Sequence, residues 1–292
     1  MLRPELQSEH DRMAEHLWST PRACVGRLGL GELLAYRLLQ AHSHLSEGDR
    51  DKLRNCVSMN VGVSPPTDDV LRDFVHRYAE ATRACTMMSR VDAAWFPDEA
   101  VFLRMCDAES LPYVRMSTLG IVHDFARHEQ TWMRALDGQR VLVVHPFADT
   151  IRAQFSKGFA ALFGDGHHMP KNMTLVTVKA PLTQRPADET DGKTWSEHML
   201  ELESAVAERK DDFDVALLAC GGYGMPLCHY ISGTLGKKAV YMGGVLQIMF
   251  GIRGNRWDAR SDYTCLFNDE WVRPRVDERP REWAQIENGC YW

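Results

Sequence analysis

The chain has 292 residues, of which 45% are hydrophobic and 25% charged, a balance typical of a globular protein with a substantial core. A formal net charge of −6 argues against broad nucleic-acid binding, which needs a basic surface. No apolar run approaches the roughly 20 residues of a membrane span, and the polar N-terminal segment lacks the apolar core of a signal peptide, so we expect a cytoplasmic protein.

The sequence lacks the motifs of several common metal-binding and catalytic sites. The eight cysteines form no Cys-x-x-Cys pair, and several of them lie in apolar runs, which predicts buried free thiols rather than disulfides. There is no His-Glu-x-x-His motif, Walker A loop, Gly-x-Ser-x-Gly elbow or kinase signature. We therefore expect neither a zinc site nor these hydrolase and kinase mechanisms.

The first strong signal along the chain is an apolar segment, residues 23–25, that leads into alternating glycines and then an amphipathic helix. Glycines at positions 26, 29 and 31 permit positive φ or the close approach of a ligand, and a helix N-terminus offers free N–H groups to an anion. Arg27 and Glu32 flank this turn. The alternative is a tight strand-to-helix turn in which Glu32 merely suits the start of a helix.

The rest of the first half reads as a mixture of short elements. Thr67 is a predicted N-cap, followed by a helix with apolar positions from Val70 to Tyr78. Short strands are predicted over residues 91–96 and 111–116, and helices over 99–107 and 118–136.

The second half alternates strands and helices regularly. Continuous apolar runs predict buried strands over 141–145, 173–178, 214–220 and 238–242, separated by helices over 151–162, 195–206 and 225–235 and followed by a short one over 245–250. The pattern predicts a single α/β domain over residues 1–292, with a mostly parallel, Rossmann-like sheet and helices on both faces. We divide it into an N-terminal half (1–136), a nucleotide-binding half (137–256) and an irregular C-terminal cover (257–292).

The opening turn resembles the first motif of the GT-D-type glycosyltransferases (DUF1792-like), an Arg-Phe-Gly-Asp-Gly-Glu-like turn at the start of their nucleotide-sugar domain. Arg27, Gly29, Gly31 and Glu32 match the motif, whereas Leu30 replaces the family's Asp, and residues 214–257 are similar to the C-terminal half of such proteins. The resemblance implies a GT-D-like fold, binding of the donor at this turn, and an Asp-x-Glu pair associated with Mn²⁺ or Mg²⁺. Since Leu30 cannot ligate a metal, we expect weak or absent metal dependence.

Two glycine-rich turns lie where parallel strands end, which is where open α/β sheets bind ligands. The first contains Gly221, Gly222, Tyr223 and Gly224, and the second contains Gly243, Gly244 and Gln247. Both turns can hold phosphate groups through backbone N–H groups. The alternative is that the glycines serve only close helix–sheet packing.

Charged residues near the same strand ends supply candidates for chemistry. Arg253 and Arg256 can neutralise a diphosphate together with Arg27, or belong to a solvated basic loop. His145, with Asp149 four residues on, can act as a base or bind the donor, or be a structural histidine. Glu32, His145 and Asp149 are thus the candidate proton acceptors.

These observations predict a glycosyltransferase that uses a nucleotide diphosphate sugar to build a polysaccharide on a glycan or glycoconjugate acceptor, a reaction class that comes largely from the resemblance. Two alternatives stay open: a non-catalytic module that binds sugar nucleotides or phosphate, and another sugar-modifying transferase on a similar sheet. We expect no nucleic-acid partner and no membrane span, and the sequence leaves homodimerisation open.

Overall fold

A computed structural model describes residues 4–40, 45–91, 97–120, 130–164 and 169–292 and has a seven-stranded parallel sheet at its centre. The strand order across the sheet is β3-β2-β1-β7-β6-β4-β5. The late strand β7 lies between β1 and β6, and Val25 of β1 is in register with Val240 of β7. The strands are β1 (Cys24–Arg27), β2 (Met87–Arg90), β3 (Tyr113–Arg115), β4 (Arg140–His145), β5 (Thr174–Lys179), β6 (Val215–Leu218) and β7 (Lys238–Tyr241).

Both faces of the sheet are covered, which explains the continuous apolar runs. In β4, Val141 and Val143 pack into one core and Leu142 and Val144 into the other, and all four are fully buried. Because successive side chains of a strand point to opposite faces, a strand with apolar residues at every position needs a helical layer on each side. The predicted α/β class, with a parallel Rossmann-like sheet and helices on both faces, is confirmed.

The helices form two layers. Helices α2, α4, α9 and α10 contribute to the core on one face, and α1, α7, α8 and α11 pack on the other together with aromatic residues of the C-terminal segment. The helices are α1 (Pro4–Ser19), α2 (Leu30–Gln40), α3 (Glu47–Cys56), α4 (Asp68–Ala84), α5 (Pro97–Met105), α6 (Met116–Leu119), α7 (Ala148–Phe155), α8 (Phe159–Phe163), α9 (Trp195–Ala207), α10 (Gly224–His229), α11 (Leu246–Met249), α12 (Asn255–Asp258) and α13 (Ser261–Thr264). None of the helices in the described part of the chain is long and apolar enough to cross a membrane.

The predicted elements differ from the structure mainly in the first half. The strand predicted over 91–96 falls mostly on residues 92–96, which lie outside the described residues, and the described strand β2 ends before it, at Arg90. Much of the helix predicted over 118–136 also lies outside them, and what is described there is α6 and a 3-10 turn, Trp132–Leu136. The helix predicted over 151–162 is broken in two near Gly158, whose φ is 83°. Thr67 caps α4 as predicted, because its side chain accepts a hydrogen bond from the N–H of Val70.

The eight cysteines are all free, and six of them are buried as predicted. Cys265 is exposed and Cys56 partly so.

The order in which successive strands are added to the sheet reverses between β4 and β6, because β5 lies on one side of β4 and β6 on the other. Helix α7, which follows β4, packs on one face, whereas α10, which follows β6, packs on the other. A crevice opens at the carboxyl ends of neighbouring strands where the connections diverge in this way. The topology therefore places a candidate site beside the ends of β4 and β6.

Candidate functional site

A cleft of about 430 Å³ lies at the carboxyl ends of the central strands. It is lined at the ends of β1, β4, β6 and β7, and the volume is within the usual range for a small-molecule site. The predicted site residues that line it are Arg27, Gly29, Gly31, Glu32, His145, Gly221, Gly243, Gly244, Gln247 and Arg256.

Close packing explains the glycines of the opening turn. Gly26, Gly29 and Gly31 all have φ outside the left-handed region, so the expectation that they supply positive φ was wrong. A Cβ on Gly29 would lie 1.9 Å from Oε2 of Glu32. The absence of a Cβ at position 29 leaves room for the carboxyl group of Glu32, which folds back over its own turn.

The backbone of the opening turn is held in place by the hydroxyl group of Tyr78, a residue of α4. Its buried hydroxyl accepts a hydrogen bond from the N–H of Gly29 at 3.2 Å and lies 3.5 Å from the carbonyl oxygen of Arg27. This bridge fixes the backbone on both sides of residue 28 and so sets where Arg27 and Glu32 project.

Glu32 contacts the end of β7 and the turn after β6. The hydroxyl of Tyr241 lies 3.0 Å from Oε1 of Glu32 and 3.1 Å from the carbonyl oxygen of Gly221. Burial raises the pKa of the Glu32 carboxyl group, and the nearby Arg27 acts in the opposite direction. The same carboxyl group accepts a hydrogen bond from the backbone N–H of Glu32, in the first turn of α2.

Arg27 brings to the cleft a positive charge that forms no ion pair with any residue that the structure describes. Its Nη1 donates to the carbonyl oxygen of Met242 at 3.1 Å, and its buried Nε has no hydrogen-bond partner among the described residues. A Cβ on Gly243, whose φ is 67°, would lie 2.0 Å from Nη1, so the glycine turn after β7 gives the guanidinium its space. A buried N–H without a partner is costly, and a bound ligand or water relieves that cost.

His145 lines the cleft, and the hydrogen bond that its ring makes indicates where its hydrogen lies. Its buried Nδ1 accepts a hydrogen bond from the N–H of Phe147 at 2.9 Å, which places the hydrogen of the neutral ring on Nε2. Burial lowers the pKa of His145 to about 3. A neutral ring with this tautomer presents an N–H group to its surroundings, and the predicted role of His145 in proton transfer stays a prediction.

The structure does not bring Asp149 or Arg253 into the cleft lining. Asp149 pairs with Arg152 at 3.3 Å and with Lys179 at 3.4 Å. Arg253 pairs with Asp258 at 3.2 Å and is therefore neutralised outside the cleft.

Gly222, Tyr223 and Gly224 also lie outside the lining and serve packing. A Cβ on Gly224 would lie 2.1 Å from the ring of Tyr241, and one on Gly222 would lie 3.0 Å from Val61. The ring of Tyr223 stacks on Trp195. The packing alternative therefore accounts for this part of the turn, and only Gly221 reaches the cleft.

The C-terminal segment, which was predicted only as an irregular cover, supplies cleft residues that sequence reasoning missed. Glu287, Tyr291 and Trp292 line the cleft, and Glu287 forms an ion pair with Arg256. The backbone N–H of Glu287 donates to Oδ1 of Asn60 at 3.2 Å, which joins the segment to the turn after α3. The concentration of aromatic residues in this segment was the one available signal, and it does not single out Glu287.

The buried carboxyl group of Glu278 holds the C-terminal segment against the N-terminus of α7. Glu278, fully buried, accepts hydrogen bonds from the N–H groups of Asp149 and Thr150 and from the hydroxyl of Thr150. Its carbonyl oxygen accepts a hydrogen bond from Nε1 of Trp292 at 3.2 Å. Glu278 thus caps the N-terminus of α7, a helix with no cap of its own.

Gln247 presents an unsatisfied acceptor. Its fully buried amide Nε2 lies 3.1 Å from the carbonyl oxygen of Tyr291 and 3.3 Å from those of Ile252 and Arg253, which fixes the orientation of the amide. Its Oε1 is buried without a partner among the described residues.

The residues at the opening turn do not fit the divalent cation that the family resemblance implies. Leu30 is 52% exposed and offers no ligating atom, and Oε1 of Glu32 already contacts Tyr241. No group of three or more His, Cys, Asp or Glu side chains in the described ranges is placed to hold a metal ion. A hard cation needs more oxygen ligands than this turn offers.

In comparisons with known proteins, no family model and no curated protein matches the chain. Two solved structures of the domain of unknown function 1792 are similar to it, one described as having a distinct glycosyltransferase fold and the other a selenomethionine-substituted form. Each has 11% sequence identity and a TM-score of 0.41, over 91% of this chain and 97% of its own. Both belong to the family that the opening motif resembles, and the function of this chain is inferred below from its cleft.

Proposed function

We propose that this protein is a glycosyltransferase that takes a sugar from a nucleotide diphosphate sugar and transfers it to a hydroxyl group of a glycan or glycoconjugate in polysaccharide biosynthesis. The observation that carries the proposal is Arg27, a cation whose buried Nε–H has no partner among the described residues, beside Glu32 in a cleft at the ends of parallel strands. Arg27 and Glu32 are also the motif residues that match the glycosyltransferase family.

The diphosphate group is assigned to the Arg27 side of the cleft. Arg27 has no carboxylate partner within ion-pair distance among the described residues, and the turn of Gly243 and Gly244 lies beside it. Arg256, which also lines the cleft, is the second cation and is already held by Glu287. Guanidinium groups bind phosphates bidentately and neutralise a departing diphosphate without a metal.

The neutral, hydroxyl-bearing part of the donor is assigned to the polar groups deeper in the cleft. Nε2–H of His145 is a donor, and Oε1 of Gln247 is an acceptor that no described residue satisfies. Such groups match a sugar or nucleoside, whose hydroxyl and ring groups both donate and accept hydrogen bonds.

A non-catalytic binding module is the second candidate. Leu30 stands where the resembled family has a carboxylate, and the same arginine and polar groups would also serve a protein that binds a sugar nucleotide without turnover. Binding and turnover therefore have to be measured separately.

The test uses a panel of UDP-, GDP- and dTDP-sugars, with calorimetry for binding and released nucleoside diphosphate for turnover. We expect one donor to bind and to be hydrolysed slowly without an acceptor. Arg27→Gln should weaken its binding by about 10-fold or more, in line with loss of a charge-assisted contact. Arg253→Gln is the matched control, since Arg253 pairs with Asp258 outside the cleft lining. Binding without turnover would favour the module, and no binding to any donor would overturn both.

A further inference from the structure

In the part of the chain that the structure describes, two acidic side chains line the cleft, one from the first half of the sequence and one from the C-terminal segment. Glu32 lies in the first turn of α2, and Glu287 lies in the C-terminal segment. Their surroundings differ: Glu32 contacts a tyrosine hydroxyl, whereas Glu287 pairs with a guanidinium. Paired carboxyl groups in unlike surroundings often divide the acid and base roles of a reaction.

The hydrogens around Tyr241 indicate where one proton lies. The buried hydroxyl of Tyr241 is within hydrogen-bond distance of two oxygens, Oε1 of Glu32 and the carbonyl oxygen of Gly221, but it has only one hydrogen to donate. If Glu32 were ionised, one of these two contacts would have no hydrogen. If Glu32 is protonated, its O–H donates to Tyr241, and Tyr241 donates to Gly221.

The groups that face Glu32 act in both directions. Burial is the largest effect on the pKa of Glu32, and together with the nearby charge of Glu287 it favours the protonated form. Arg27, the N–H of Glu32 itself and the hydroxyl of Tyr241 favour the ionised form. Tyr241 and Tyr78 also face it, and Glu32 helps to raise the pKa of both phenols. Both phenols are therefore neutral and hold their hydrogens.

Glu287 is surrounded by donors instead. Arg256 donates to its Oε2, and the hydroxyl of Tyr291 lies 3.4 Å from the same atom. Its backbone is left-handed, with φ of 45°, and Asn288 follows with φ of 58°. The hydrogen bond from its N–H to Asn60 holds this backbone in place. Two consecutive non-glycine residues in this region are uncommon and cluster at functional sites.

We propose that the cleft keeps its two carboxyl groups in opposite protonation states, with the proton on Glu32 and the negative charge on Glu287, and that Glu287 takes the proton of the acceptor hydroxyl. The assignment of the proton stands on the hydrogen-bond geometry alone, whereas the role of Glu287 rests on the proposed function. His145 and Asp149 do not compete for that role, because His145 carries its hydrogen on Nε2 and Asp149 lies outside the lining.

The step is a direct displacement. The acceptor O–H proton passes to a carboxylate oxygen of Glu287, and the acceptor oxygen forms a bond to the anomeric carbon of the donor sugar. The bond from that carbon to the phosphate oxygen breaks, and its electron pair leaves with the nucleoside diphosphate, whose charge Arg27 faces. A single displacement inverts the anomeric configuration, so the product should be inverted.

The proton assignment is tested without any substrate, by carbon-13 NMR of protein labelled at the glutamate side-chain carboxyl. We expect a resonance that still reports a protonated carboxyl group at pH 7, that is absent from Glu32→Gln and that is retained in Glu287→Gln. A Glu32 resonance that is fully ionised at pH 7 would overturn the assignment.

The role of Glu287 is tested by transfer kinetics with the donor identified for the wild type. Glu287→Gln should lower kcat by about 100-fold or more while the Kd for the donor changes by less than about threefold. Glu287→Asp should restore part of the rate. Asp149→Asn is the matched control and should keep wild-type kcat.

The outcomes separate the two proposals. If Glu287→Gln keeps wild-type kcat, or if the product retains its configuration, the role of Glu287 is wrong although the protein is a glycosyltransferase. If the wild type binds no sugar nucleotide, the proposed function fails and takes the role of Glu287 with it, whereas the NMR result still decides the protonation states.

Discussion

Replacing Gly29 by alanine should move one carboxyl group while leaving the fold intact. The new Cβ would lie 1.9 Å from Oε2 and 2.5 Å from Cδ of Glu32, so the carboxyl group must rotate away. That loses its contact with Tyr241, worth about 1 kcal/mol, and Tyr241 keeps its bond to Gly221. Since φ of Gly29 is outside the left-handed region, alanine also gains about 0.4–1 kcal/mol from the unfolded state. We expect the free energy of unfolding to stay within about 1 kcal/mol of the wild type.

Two other glycines provide the comparison, with urea unfolding followed by tryptophan fluorescence as the assay. A Cβ on Gly48 in α3 meets nothing within 4 Å, so Gly48→Ala should stabilise by about 0.5–1 kcal/mol. A Cβ on Gly224 would lie 2.1 Å from the buried ring of Tyr241, so Gly224→Ala should destabilise by about 1–3 kcal/mol. The protonated carboxyl resonance of Glu32 should vanish in Gly29→Ala. A loss of stability as large as that of Gly224→Ala would refute the reasoning, because it would mean that the carboxyl group cannot leave its place.

Three further predictions concern the buried histidine, the carboxyl group that caps α7 and the dependence on metal. Because the pKa of His145 is lowered to about 3 in the folded protein, the unfolded chain binds this proton more tightly. The free energy of unfolding should therefore fall as the pH decreases below about 6.5, by up to about 1.4 kcal/mol per pH unit. This part of the slope should be missing in His145→Gln, and equal slopes in the two proteins would contradict the prediction. Glu278→Gln should cost about 1–3 kcal/mol because an amide N–H would replace one of the carboxylate oxygens that accept hydrogen bonds from the N-terminus of α7, whereas the exposed Asp277→Asn should stay within about 0.5 kcal/mol in the same urea assay. Turnover should persist in excess chelator, and its loss with recovery on adding Mn²⁺ would show that Leu30 does not prevent metal use.

Much of the sheet could be predicted because its strands are buried on both faces. The runs at 141–145 and 214–220 have apolar residues at nearly every position. Strand β4 begins one residue before the first run and ends with it, and β6 lies within the second. The strand β2 was missed because its residues, Met87 to Arg90, include no β-branched or aromatic side chain and gain their burial from β1 and β3. Tertiary pairing decides such a strand, and a local pattern does not show it.

Part of the cleft lining could also be predicted, because it follows from the parallel arrangement of the strands. The ends of parallel strands meet at one edge, which brings Glu32, His145 and Gly221 together although they are far apart in the chain. A sequence pattern does not distinguish a glycine that faces a ligand from one that faces a ring, and Gly224 is of the second kind. Glu287 reaches the cleft only through an irregular segment fixed by Asn60, and no periodicity predicts such a path.

The position of β7 has a consequence for how the chain is made. While synthesis proceeds, β1 to β3 and then β4 to β6 emerge as two separate groups of neighbouring strands, and the four residues of β7 join them only after position 238. Until then β1 and β6 each expose an unpaired edge, which is a template for aggregation. The sheet therefore completes late and through a contact between distant residues, which makes folding slow. A fragment released from the ribosome before Lys238 should associate through these two edges, and the full chain should not.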